Sequence, residues 1–347
     1  MGINNKEMLL LEKLLNNLSD KQVINVINKL NKKVAKIKNT DITDRIYTSY
    51  TLDIEECPHC HSKHIIKKGK YDNKQRYKCK DCNTYFRDNN NTITFNSRKN
   101  VNTWIKYLKC FIDRRSLRES SEICNISLPT AFEWRHKILD ILGIMMDDVK
   151  LNGIVECDET YTRVSYKGNH SKSKNFIMSR EIHKRGGEVH TRGLSKEQVC
   201  ISCFINDNNL SYSKVANLSM PSWNKIYNVI KNHIEEKSIL VTDNYKGYLK
   251  IVSILNLNHV PMPDDAYSNG TFNIQKINSY HTYFKRLINI HFRGVATKYL
   301  NNYIVYHNFI HCRKDEREKK IIDLQDYVFN TKCNGQLKGN NRPVIPV

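Results

Sequence analysis

Ile154-Val155-Glu156-Cys157-Asp158-Glu159-Thr160-Tyr161 reads as a β-strand that carries carboxylates toward a protein interior. Ile, Val, Cys, Thr and Tyr suit a strand, whereas Glu and Asp are depleted there. A buried carboxylate is expensive unless it is paired or binds a metal. Taken alone, the stretch is equally an edge strand with solvated acids, so the surrounding chain has to decide.

At 347 residues the chain can bury a sizeable core, and two or more domains are expected. Its 56 Lys and Arg against 35 acids leave a net charge of +21, which favours a polyanionic partner. Nucleic acid comes first and an anionic membrane surface second. AT-rich coding would also enrich Lys, Asn, Ile and Tyr, but it does not account for the deficit of acids. The first residues, Met1 to Glu7, offer no apolar signal segment, and no run of about 18 apolar residues occurs, so no membrane span is expected. Position 6 is Lys, against N-myristoylation of Gly2. Eleven Cys, an odd number, fit reduced thiols and a metal site better than a disulfide framework, and imply a cytoplasmic protein.

Residues 1–50 read as a helical region. Leu9, Leu10, Leu14 and Leu18, then Val23, Ile27, Leu30, Val34 and Ile37, recur at helical spacing around a capping box at Ser19-Asp20-Lys21-Gln22. Residues 51–100 form a zinc ribbon. Cys57-Pro58-His59-Cys60 and Cys79-Lys80-Asp81-Cys82, separated by 18 residues, supply four thiolates for one structural Zn²⁺. His59, His61 and His64 are then left as surface or supporting residues. From Cys57 to Asn100, 11 Lys and Arg against 3 Asp suit phosphate contact, with Tyr71, Tyr77, Tyr85 and Phe86 as contacts or packing.

Residues 101–150 read as a helix-turn-helix region: a helix from Val101 to Arg114, a second after a capping box at Ser116-Leu117-Arg118-Glu119, and a third from Leu128 to Leu142 capped by Ser127. Thr130, Glu133, Arg135, His136 and Lys137 are then the candidates to face a DNA groove. An ordinary helical hairpin is the competing account.

The opening strand starts a region, 151–312, with a basic insertion at 162–198. That insertion has 9 Lys and Arg against 3 Glu, with His170, His183 and His190 dispersed through it, and reads as a nucleic-acid-contacting or simply solvated loop. Short strands follow at Val199–Ile205 and Leu210–Ala216, a helix from Ser222 to Glu236, and a buried-type strand, Ser238–Thr242, that ends at Asp243. A carboxylate at the carboxyl end of a strand is where such sheets place ligand chemistry. A helix from Lys276 to Ile290 presents Asn278, His281 and Lys285 on one face, at i, i+3 and i+7. A last helix spans 294–312, and 313–347 is a charged tail expected to fray.

An acid on a first strand, an acid ending a later strand and a polar helix face follow the layout of an RNase H-like (retroviral-integrase-like) fold. The expected class is thus multidomain α+β, with a helical N-terminus, zinc ribbon and helix-turn-helix leading into an α/β catalytic domain. From Cys57 to His311 the chain resembles the insertion-sequence transposases with an ISXO-type catalytic domain, insertion-sequence family fifteen-ninety-five. The resemblance is carried by the paired Cys-x-x-Cys knuckles, Val155-Glu156-Cys157-Asp158-Glu159-Thr160-Tyr161, Arg192-Gly193-Leu194-Ser195, Val241-Thr242-Asp243, Ile277-Asn278, and Lys285-Arg286 leading to Arg293-Gly294-Val295-Ala296-Thr297-Lys298-Tyr299-Leu300. Each motif alone is weak; together and in this order they are specific.

The resemblance implies that Asp158 and Asp243 hold Mg²⁺ or Mn²⁺, two ions in all, and that Asn278, 35 residues after Asp243, takes the third position, where many relatives carry Glu. Lys285 then reaches the same phosphate. An Asn oxygen can ligate a hard cation but brings no charge. His281 is a ligand, a proton carrier or packing; Glu159, whose side chain a regular strand turns away from Asp158, is a supporting residue. The implied activity is that of a transposase, which binds the terminal inverted repeats of its element as at least a dimer on double-stranded DNA, cleaves strands and joins them to a target. The alternatives are a transposase-derived DNA-binding protein without catalysis, a structure-specific nuclease on the same fold, and, more distantly, an RNA-binding zinc-ribbon protein.

Overall fold

The computed structural model describes residues 54–71, 74–87, 89–90, 92–95, 97–168, 195–263, 268–312, 315–331, 333 and 342–343. The helices expected within 1–50, most of the basic insertion with its three histidines, and Arg192-Gly193-Leu194 lie outside the described residues. The chain divides into two compact units, a small one built on 61–88 and a large one built on 106–347.

The small unit is a three-stranded antiparallel sheet of β1 (Ile65–Tyr71), β2 (Lys74–Cys79) and β3 (Tyr85–Arg87), in that order. Its buried core is Cys57, Cys79 and Phe86, with Ile54, Ile65, Tyr77 and Cys82 against it. Tyr77 stacks on Phe86 with ring centroids 5.8 Å apart. Tyr85 instead stays exposed, with Arg76 and Lys78 over its ring. So few apolar side chains do not stabilise a fold without a further crosslink.

The large unit takes in most of α1 (Val101–Ile112), then α2 (Leu117–Cys124) and α3 (Leu128–Asp147). Ser116 and Glu119 complete the capping box of α2, and Asn125, in the left-handed region at φ 49°, ends it. Ser127 caps α3 by accepting from the Thr130 amide. α3 runs past the expected Leu142 because Ile138, Ile141, Leu142 and Met146 continue the buried stripe.

A five-stranded mixed sheet follows, β4 (Ile154–Arg163), β5 (Gln198–Asn206), β6 (Ser211–Leu218), β7 (Ile239–Thr242) and β8 (Asn258–Pro261), in the order β6-β5-β4-β7-β8. β4, β5 and β6 form an antiparallel meander, whereas β7 pairs parallel to β4 and β8 parallel to β7. Gly153, at φ 73°, turns the chain into β4. β4 extends to Arg163, so the link to β5 starts later than residue 162. One face of the sheet packs on α4 (Trp223–Ile230) and α5 (Gly247–Leu255) through Val155, Cys157, Phe204, Ile226, Ile230, Tyr248 and Ile251. The other face packs on α6 (Gln275–Arg286) and α7 (Leu300–His307) through Ile201, Cys203, Ile277, Phe284, Tyr303 and Ile304. Strand period two therefore sends alternate residues of β4 into two different layers.

Two expectations are corrected, and three short strands were not foreseen. The helix read from Ser222 to Glu236 stops at Ile230, and Ile234 forms a parallel bridge with Leu151 instead. β8 and the short hairpin β9 (Ser268–Asn269) with β10 (Phe272–Asn273) had no clear apolar period to announce them. The region read as a fraying tail contains α8 (Arg317–Asn330), whose Ile321, Leu324 and Val328 are buried at helical spacing. Beyond it, Arg342 has a side chain only 5 % exposed, which donates to Asp140 Oδ1 at 2.5 Å and to Asn302 Oδ1 at 2.6 Å.

Candidate active site

The parallel register places two carboxylates side by side. Ile154 pairs with Ile239, Val155 with Leu240 and Glu156 with Val241; continuing two residues brings Asp158 level with Asp243, one residue past the end of β7. Asp243 Oδ1 accepts the Tyr245 amide hydrogen at 3.1 Å, which bends the chain toward α5, and its side chain stays open to solvent. Asp158 is more enclosed: its Oδ1 accepts the Glu159 amide hydrogen at 2.8 Å. Burial, with the neighbouring charge of Asp243 added, pushes the Asp158 carboxyl up to about 6, against the opposing pull of the Glu159 amide and of Lys285.

α6 lies over this pair on the side of Asp158. His281 is 8 % exposed, and its Nδ1 is 3.7 Å from Asp158 Oδ2. Burial and the Lys285 charge hold the imidazole down to about 4, so it is neutral at ordinary pH, and its buried Nε2 has no hydrogen-bond partner. Asn278 sits one turn earlier on the same face, half-buried, and Lys285 one turn later, exposed.

Glu159 points through the sheet to the other layer, as strand alternation requires. Its Oε1 accepts from the Tyr248 hydroxyl at 2.7 Å, and Tyr248 in turn takes a thiol contact from Cys157 at 3.2 Å. Burial, together with the charges of Asp158 and Asp243, pushes Glu159 up to about 8 despite its bond to Tyr248. Glu156 shares the Asp158 face, 5 % exposed, and its Oε2 accepts the Ile277 amide hydrogen at 2.9 Å. Burial raises its carboxyl above the usual range. The residue reading overlooked Tyr248 and gave Glu156 no role of its own. A tyrosine five positions after an Asp that ends a strand, and an acid two positions before the first Asp, are the signals that were available.

Among the described residues, only Cys57, Cys60, Cys79 and Cys82 bring three or more Cys, His, Asp or Glu ligand atoms within 4.8 Å of one another. Four thiols so gathered, with Cys57 Sγ 3.7 Å from Cys82 Sγ, are the donor set that zinc takes. His61 and His64 turn instead to Glu56 and Asp81. The Asp158–Asp243 pair is more open. It still fits a hard divalent cation: two oxygen donors whose charges oppose each other, one of them largely withdrawn from water, with a neutral amide on the neighbouring helix face.

Burial withdraws Arg135 and His136 from the groove-facing set on α3. Arg135 and His136 are only 5 % and 3 % exposed. Arg135 donates inward to the Arg115 carbonyl, and His136 stacks on Tyr299 with ring centroids 4.1 Å apart. Thr130 is half-buried with its hydroxyl engaged by Ser127, and Lys137 is half-buried and paired with Glu133 at 2.7 Å.

The segment that carries these paired strand-end carboxylates and the polar helix over them is similar to transposase sequences. Residues 150–309 match the family model of the ISXO2-like transposase domain. A protein of Halobacterium salinarum, described as an uncharacterized protein in transposable element ISH50, is 25% identical over 251 residues, 72% of this chain and 82% of that protein. Among solved structures, a pre-cleavage Mos1 transpososome overlaps 62% of this chain and 77% of its own at 9% identity and a TM-score of 0.24. The Mos1 strand transfer complex overlaps 65% and 76% at 9% identity and a TM-score of 0.23. At these scores neither overlap carries an argument. No helix among the described residues is long and apolar enough to cross a membrane.

Proposed function

We propose that this chain is a DNA transposase that binds the terminal inverted repeats of its own insertion sequence, cleaves strands there and joins them to target DNA. The observation that carries this reading is the register of β4 and β7, which sets Asp158 beside Asp243 under the helix face of Asn278, His281 and Lys285. In this reading the sheet and its helices are an RNase H-like catalytic domain. Zn²⁺ on Cys57, Cys60, Cys79 and Cys82 holds the ribbon, which with the helix-turn-helix reads the element ends.

Asp158, Asp243 and the Asn278 amide oxygen would hold the catalytic Mg²⁺ or Mn²⁺. When bound, two such ions supply Lewis-acid chemistry for in-line displacement at phosphorus, favouring the attacking hydroxyl and neutralising the leaving oxygen. Lys285, exposed two turns beyond Asn278, holds a phosphate oxygen of the substrate. His281, neutral and against Asp158, fixes the orientation of that carboxylate and leaves it the acceptor of positive charge. The protein works as at least a dimer on paired ends, in the cytoplasm with the nucleoid.

Incubating the protein with duplex DNA carrying its own element ends and Mn²⁺ tests the proposal, with nicked and joined products expected. Tight binding without either product would favour the second reading, a DNA-binding derivative that no longer cuts, which the uncharged Asn278 supports. Cutting without joining would mark a nuclease.

A further inference from the structure

β4 and α6 run alongside each other in matched steps. Glu156 and Asp158, two residues apart on one face of β4, meet Ile277 and His281, four residues apart on α6. Two strand residues advance about 6.7 Å and four helical residues about 6 Å, so the two spacings nearly coincide. The lower of these contacts is of an unusual kind. α6 has no side-chain cap from its own N-cap residue, Ile274, and no acid in its first turn. Asn273 Oδ1 accepts the Gln275 amide hydrogen at 3.1 Å, and Glu156 Oε2, from the neighbouring strand, accepts the Ile277 amide hydrogen at 2.9 Å. A carboxylate from a neighbouring strand thus caps the helix and faces the positive end of its dipole.

We propose that Glu156 is a positioning residue of the catalytic site, a cap supplied from β4 that sets the height of α6 against Asp158. Asn278 follows Ile277 directly, so the bond that anchors Ile277 also fixes where the Asn278 amide stands relative to the carboxylate two residues beyond Glu156. Glu156 lies low on the strand, 5 % exposed, and its oxygens are turned to helix amides. It touches no reacting atom. Its effect passes through the helix to Asn278, His281 and Lys285. The inference rests on the transposase reading above for its catalytic consequence, but the cap itself stands on geometry.

The test compares Glu156→Gln, which keeps size and one acceptor oxygen, and Glu156→Ala, which removes the cap, in the full-length chain. Two measurements separate this inference from the reading it builds on. Hydrogen exchange of the first-turn amides of α6 needs no activity: exchange at least tenfold faster in Glu156→Ala is expected, with β5 and α5 amides unchanged. Unchanged exchange at residues 276 and 277 in both variants would overturn the cap. The second measurement is strand cleavage of a duplex carrying one element end, with Mn²⁺ varied. In a wild type that cleaves, Glu156→Gln should lower kcat at least tenfold and raise the Mn²⁺ needed for half-maximal rate, with KM for DNA unchanged, and Glu156→Ala should do so further. Wild-type kcat and Mn²⁺ dependence in both variants would overturn the positioning role. A wild type that cleaves nothing would count against the transposase reading, and the exchange result would then decide the cap alone. If Glu156→Ala fails to fold, the near-isosteric Glu156→Gln carries both measurements.

Discussion

Tyr248 donates its hydroxyl hydrogen to Glu159 at 2.7 Å, on the face of β4 turned away from Asp158. Two adjacent acids in one motif are therefore assigned to two different layers, one to the candidate site and one to a buried polar contact. Glu159→Gln should keep strand cleavage within about tenfold of wild type, whereas Tyr248→Phe, which leaves the carboxyl short of a partner, should lower stability by about 1–3 kcal/mol. Urea unfolding and cleavage assays check both. Loss of cleavage in Glu159→Gln as complete as in an Asp158 variant would make Glu159 a ligand instead.

Asp158→Ala and Asp243→Ala should each abolish cleavage and joining while element-end binding, read by gel shift, stays within a few fold. Each replacement removes one of two oxygen donors that no neighbouring carboxylate can replace from the same position. Cleavage retained in either variant would remove that residue from the site.

Asn278→Asp adds a negative charge to the helix face that overlooks Asp158. Mn²⁺ should then bind more tightly, by about tenfold for each 1.4 kcal/mol gained. A titration showing no change in Mn²⁺ affinity would point to His281 as the third group, or to no third group.

The small unit should depend on zinc. Its buried core of Cys57, Cys79 and Phe86 is too small to hold three strands without metal. One Zn²⁺ per chain is expected on release with a chelating dye, and Cys79→Ser should unfold this unit while the thermal transition of the large unit stays in place. Unchanged β1–β3 amide protection after chelation would refute the dependence.

His136 should make the large unit acid-sensitive. Burial, aided by Arg342, Arg135 and Lys298, depresses the imidazole from 6.5 to about 3, and neither ring nitrogen has a hydrogen-bond partner. Because the folded pKa is the lower one, the unfolded state binds the extra proton between the two values. The stability is whole above pH 6.5, declines as pH falls below it, and goes on declining until about 3. At pH 5 the loss from this residue is about 2 kcal/mol. His136→Phe, which keeps the stack on Tyr299, should reduce the difference in unfolding free energy between pH 8 and pH 5 by about that amount. An unaltered difference would exclude His136 as the cause.

The legible parts of this chain are those in which local pattern and long-range order agree. Ser116 and Ser127 announce α2 and α3 through their caps, and β4, β5 and β7 stand out as apolar runs. Asp243 was found because it ends a buried strand. What the sequence hid depends on contacts remote in the chain. Arg135 and His136 look like a basic helix face until α7 brings Tyr299 and Tyr303 over them. Glu156 looks like one more acid in a motif until α6 returns, more than a hundred residues later, and offers it the Ile277 amide. β8 is an edge strand with half its residues exposed and a proline at its end, so no alternation marks it.

The buried pair of Arg342 and Asp140 bears on how the protein is cut for study. The match to the ISXO2-like transposase domain model stops at residue 309, yet Arg342, 33 residues later, is bound into the large unit. Asp140 and Asn302, set on α3 and α7, share that guanidinium and each other. A fragment trimmed at that boundary would leave Asp140 without its guanidinium partner, a loss of up to about 3–5 kcal/mol. Poor yield from such a fragment would then be a fault of the cut, and would say nothing against the integrity of the catalytic fold.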